Sequence, residues 1–153
     1  MHVLISAIGK IHNQDPEQQI ISEYRKRFSW KLQISELVDK KSLDGITRQQ
    51  QESRLILQTV PKNYFLIALD ENGQNLNSEE FAKYLSSLQV LGKSCLAFTI
   101  GGAYGHSKEL LIKADYKLAL GKMTMSHKLV RVVLVEQLYR AHSIISGHPY
   151  HHK

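Results

Sequence analysis

Short apolar runs alternate along this chain with stretches of helical spacing. Val3–Ile8 is a compact apolar run of strand type. Leu32–Leu37 alternates apolar with polar residues, as a strand with one wet face does. Tyr64–Leu69 and Ser94–Ile100 are again compact, and Tyr116–Leu120 is a shorter run of the same kind. Helical patterns fill the gaps. Asp15-Pro16-Glu17 opens the first, extending to Phe28: aspartate suits a cap, proline the first helical position and glutamate the positive end. Thr47–Val60 is the second, closed by Pro61. Asn77 or Ser78 caps a third carrying Phe81, Tyr84, Leu85 and Leu88, and Ser107–Ala114 is a short fourth. Ser126 caps the last, His127–Ser146, which Gly147 and Pro149 end. The polar segment Asp39–Arg48 is expected to be a mobile loop.

Strands alternating with helices predict an α/β fold, a mostly parallel sheet flanked by helices, in a single domain over 1–153. Such sheets bind ligands beyond the carboxyl ends of their strands. Three segments qualify: Leu69–Gly73, Ile100–Gly105 and Leu120–Ser126. The last helix is apolar on more than one face, through Leu129, Val130, Val132, Val133, Leu134, Val135, Leu138, Ile144 and Ile145. Burial on two sides calls for a partner subunit, most simply in a twofold homodimer, or for a helix wrapped wholly within one chain.

Charge adds a partner class. Twenty basic and fourteen acidic residues leave a formal charge of +6. From Leu110 onward Lys113, Lys117, Lys122, Lys128, Arg131, Arg140 and Lys153 face only Asp115 and Glu136, a surplus of five. That concentration suits a polyanion such as RNA, or is simply a solvated face. Basic residues interleaved with core-type apolar ones argue against a membrane surface. No apolar run is long enough for a membrane span, and Val3–Ile8 lacks the flanks of a signal peptide. The single Cys95, inside an apolar run, reads as a core thiol in a reducing cytoplasm.

Gly101-Gly102-Ala103-Tyr104-Gly105 matches neither the dinucleotide fingerprint nor the phosphate-binding P-loop. Three glycines in five residues nevertheless suit a backbone that a ligand approaches closely. Terminal His148, His151 and His152 have no ligand spacing for a metal, and no metal is expected. A frayed tail is commonest at a C-terminus, yet Pro149 and Tyr150 suggest docking. Hydrolase signatures are missing, and Glu79-Glu80 fits the acidic first turn of a helix.

Phe98–Gly105, then Met123–Arg131, then Leu134–Ala141 with its Glu136-Gln-Leu-Tyr-Arg-Ala141 run, and finally His148-Pro-Tyr-His151, together resemble the RlmH family. These are bacterial 23S ribosomal RNA pseudouridine N3 methyltransferases of the SPOUT class, and the resemblance spans the whole chain. It implies a C-terminal trefoil knot, a feature that no periodicity argument would propose unaided. It also implies S-adenosylmethionine as cofactor, contacted by Leu69 and Gly102 and wrapped by Gly121, Lys122, Met123, Thr124, Met125 and Ser126. Members often carry proline where Ser126 stands, and serine still caps the helix. The implied substrate is 23S rRNA in the assembled ribosome, bound by a cytoplasmic homodimer without metal or membrane.

For methyl transfer to N3, His151 is the candidate base, Tyr150 an orienting or stacking group, and Arg131 a phosphate or anion contact. An interface ion pair is the other reading of Arg131, and His127 is either structural or part of the site. Two rivals remain at this stage: a non-enzymatic ribosome- or RNA-binding protein, and a SPOUT enzyme acting on another RNA such as tRNA.

Overall fold

The structure is a computed structural model that describes residues 1–39 and 44–151. The centre of the expected 39–48 loop, and His152 and Lys153 at the end, lie outside the described residues. The elements are β1 (His2–Ile8), α1 (Pro16–Lys26), β2 (Lys31–Leu37), α2 (Gly45–Thr59), β3 (Phe65–Asn75), α3 (Ser78–Val90), β4 (Cys95–Ile100), α4 (Lys108–Lys113), β5 (Tyr116–Ala119) and α5 (His127–Ser146). The five strands form one sheet in the order β2-β1-β4-β3-β5, every neighbouring pair parallel. This is the α/β architecture that the sequence predicts.

Strand alternation sorts the core into two layers. Val3, Ile5, Ala7, Ile67, Leu96 and Phe98 pack against Ile21 of α1, Phe81 and Leu85 of α3, and Leu134, Val135 and Leu138 of α5. On the opposite face, Ile8 and Ala68 pack with Ile56 of α2 and Leu110 of α4. Helix α5 therefore buries one side within its own chain, across α1, α3 and the sheet, while Leu129 and Ile145 stay exposed.

Two boundaries and one cap differ from the sequence reading. α2 begins at Gly45, so the last four residues of the expected 39–48 loop are helical. Asp15 precedes α1 without capping it through its side chain; the carboxylate instead accepts from His12 N (2.9 Å) and Lys128 Nζ (2.6 Å). Asn77, by contrast, forms a full capping box with Glu80. The third difference is the largest. β3 continues past Leu69 through Asp-Glu-Asn-Gly, residues whose turn chemistry hides the strand, and re-pairs with β5 after a register shift between Leu69 and Gln74. Gly73 permits this, because a Cβ there would lie 2.7–2.8 Å from the backbone of Lys117 and Leu118.

Candidate active site

Three segments converge beyond the carboxyl ends of β3, β4 and β5 on a cavity of about 720 Å³. The β3 bulge contributes Leu69 to Asn72, the turn after β4 contributes Ile100 to His106, and the stretch after β5 contributes Leu120 to Val130 except Lys122, Lys128 and Leu129. That last stretch crosses the sheet. It leaves β5 at the sheet edge and delivers His127 beside Gly9, at the end of β1, past the ends of β3 and β4.

The turn after β4 is closed on itself. Gly105 N donates to Gly102 O (3.0 Å), and Gly105 takes the left-handed φ of +68°. α2 braces it from behind. Gln49 Nε2 donates to Tyr104 O (2.6 Å), and Ser53 Oγ accepts from Ser107 N (2.8 Å). A Cβ at Gly102 would run into the carboxylate of Glu52, whose side chain is only 2% exposed and whose Oε1 accepts from Arg48 Nε (2.8 Å). Gln49, Glu52 and Ser53 follow i, i+3, i+4 spacing on one face of α2. The sequence reading missed this bracing face, although polar residues at that spacing were its available signal.

Two histidines line the cavity. His106 is 5% exposed, and burial pushes its pKa down to about 4, against smaller opposing effects of Asp70 and a backbone hydrogen bond with Leu69. His127 is half-buried, and burial, then Arg131 and Lys128, lower its pKa.

Of the residues expected at the cofactor, Leu69, Gly102, Gly121, Met123, Thr124, Met125 and Ser126 all line this cavity. Lys122 is exposed and lies outside the lining. Arg131, expected as a phosphate or anion contact, is turned inward. Its side chain has no exposure; it pairs with Glu36 (2.6 Å), donates to the carbonyls of Ile8 (3.1 Å) and Gly9 (2.8 Å), and meets His127 Nδ1 (3.0 Å). The ion pair is therefore within the chain.

Tyr150 and His151 do not reach their own chain's cavity. They dock beside Glu136 and Arg140, on the order of 14 to 20 Å along α5 from His127. Tyr150 Oη lies 3.1 Å from Tyr24 Oη and 3.3 Å from Glu136 Oε1, with Arg140 above its ring at 4.9 Å. Burial, with the hydrogen bond to Tyr24, raises its pKa, so the phenol keeps its proton. His151 Nδ1 is 3.3 Å from Arg140 Nη1, and Nε2 is 3.7 Å from Glu79. Among the described residues there is no cluster that could hold a metal, and no helix long and apolar enough to cross a membrane.

A family model described as "Predicted SPOUT methyltransferase" matches residues 1–151. The chain is 43% identical over 159 aligned residues to the Ribosomal RNA large subunit methyltransferase H of Clostridium beijerinckii, covering 99% of both chains. It is 42% identical to the protein of the same name from Paramagnetospirillum magneticum, again with 99% of each covered. In fold it is similar to a probable methylase family protein from Haemophilus influenzae Rd KW20: TM-score 0.53, 13% identity, 99% of this chain and 70% of that one.

Proposed function

The chain belongs to the SPOUT methyltransferase family, and on that footing we propose that it methylates N3 of a pseudouridine in 23S ribosomal RNA, using S-adenosylmethionine. The cavity carries the reading. Its volume of about 720 Å³ falls in the range of small-molecule sites, and its walls mix apolar side chains with exposed backbone. Leu69, Leu118, Leu120, Met123 and Met125 supply apolar surface for an adenine-sized ring. Gly102 and Gly121, the latter at φ +139° with open space where a Cβ would stand, present bare backbone. These residues fit S-adenosylmethionine, which when bound supplies an electrophilic methyl group on sulfur. The family resemblance adds the C-terminal knot, and the crossing of 120–126 over the strand ends is compatible with it.

The protein's own share is positioning and proton management. N3 of a uracil-type ring carries a proton that must leave as the new N–C bond forms. His151 takes that proton on Nδ1 when the tail, meeting the other copy's cavity, releases its 3.3 Å contact with Arg140 Nη1. Tyr150, its phenol protonated, orients the base or stacks on it. Both sit away from their own cavity, so a cytoplasmic homodimer in which one copy's tail meets the other copy's cavity completes the site. The ribosome supplies the substrate in assembled form, and no metal takes part.

Nucleoside mass spectrometry on 23S rRNA from a strain lacking this protein tests the reading. The N3-methylated pseudouridine should vanish and return on complementation. Its persistence, or loss of a modification from tRNA instead, contradicts the proposal.

A further inference from the structure

His127 stands where the cofactor stretch becomes α5, lines the cavity, and has one ring nitrogen committed. Its Nδ1 lies 3.0 Å from Nη2 of Arg131. A guanidinium has donors and no acceptor, so at this contact Nδ1 stands as acceptor, sharing the two Nη2 hydrogens with the carbonyls of Ile8 and Gly9. A histidine whose Nδ1 accepts is neutral and carries its hydrogen on Nε2. The arrangement is not free to invert. Arg131 is wholly buried and held by Glu36 and by the carbonyls of Ile8 and Gly9. Gly9, at φ +89°, makes room for the ring: a Cβ there would fall 2.6 Å from Cε1 and 3.0 Å from Nδ1 of His127. The charged groups around the ring are Arg131 and Lys128 of α5 and Glu36 of β2, and Lys128 is itself paired with Asp15. No protein atom engages Nε2 among the described residues.

We propose that His127 is a ligand-contacting donor, its Nε2–H hydrogen-bonding an anionic or carbonyl oxygen held in the cavity. The same tautomer excludes it as the general base, because Nε2 is already protonated and Nδ1 is occupied. This rests on the methyltransferase reading, in which two such oxygens occur: the carboxylate of S-adenosylmethionine, and the oxygens flanking N3 of the target base, where charge gathers as N3 loses its proton. Arg131 and Gly9 then act as positioning residues, which accounts for a buried arginine beside a cofactor stretch.

Two substitutions separate the donor from the scaffold. His127→Asn keeps an oxygen near the Nδ1 position for Arg131 and removes the donor, so thermal stability should match wild type. A hydrogen bond to a charged group sets the expected loss at roughly 10- to 100-fold. Calorimetry with S-adenosylmethionine weakened by that factor identifies the cofactor carboxylate; unchanged affinity with methyl transfer slowed at saturating cofactor identifies the base. His127→Gln, which carries an amide N–H toward the Nε2 position, should recover part of the loss. Nitrogen-15 NMR of the wild-type ring should show hydrogen on Nε2, with its titration shifted below that of an ordinary imidazole. An Asn variant equal to wild type in affinity and rate overturns the proposal, as does a ring protonated at Nδ1. The NMR result and cofactor affinity depend on no RNA substrate, so failure of the pseudouridine reading is seen separately.

Discussion

His106 shows how a single buried side chain sets the pH range of the fold. Its pKa of about 4 in the folded protein lies below the ordinary 6.5. Between these values the unfolded chain binds a proton that the folded one refuses, so stability falls as the pH falls. The contribution is complete above pH 6.5 and declines by about 1.4 kcal/mol per pH unit toward pH 4. Denaturant unfolding at pH 7 and pH 5 should show wild type losing about 2 kcal/mol more than His106→Leu. Equal losses would contradict this account. His127 and His142, also lowered by burial, change in the same direction and cancel in that difference. At this scale the sequence was legible where chemistry is local: the glycine turn at 101–105 announced itself. It was opaque where the reason lies fifty residues away, since only the folded chain brings Glu52 under Gly102.

At the scale of elements, Arg131 ties α5 to β1 and β2 at once, through Glu36, Ile8 and Gly9. A planar fork makes these contacts together, and a lysine ammonium cannot. Arg131→Lys should therefore destabilise the fold by about 3 kcal/mol in denaturant titrations, almost as much as Arg131→Met. A phosphate-binding surface arginine would instead tolerate lysine with unchanged stability. Sequence periodicity located every helix and strand to within a few residues, apart from the end of β3. That strand continues through Asp70–Gly73, where local turn propensity loses to pairing with β5. Asp15 illustrates the converse: its position suits a cap, yet Lys128, 113 residues later, takes its carboxylate.

Across the whole molecule, charge that is segregated in the sequence is not segregated in space. Lys113, Lys128, Arg131 and Arg140 pair with Glu109, Asp15, Glu36 and Glu136, whereas Lys117 and Lys122 are exposed without an acidic partner among the described residues. Lys128 and Arg131 thus tie α5 to the N-terminal part of the chain, whereas the pairs of Lys113 and Arg140 lie within single helices. The fold class and the three segments of the cavity were legible because α/β alternation places binding loops by rule. The separation of the Tyr150 and His151 tail from its own cavity was not, since no local pattern states where a docked tail ends. The most direct measurement adds purified protein and methyl-labelled S-adenosylmethionine to ribosomes from cells lacking the enzyme, then locates the label by nucleoside mass spectrometry. One labelled methyl on N3 of a pseudouridine in 23S rRNA is the expected result, and label absent from that nucleoside, or found in another RNA, contradicts it.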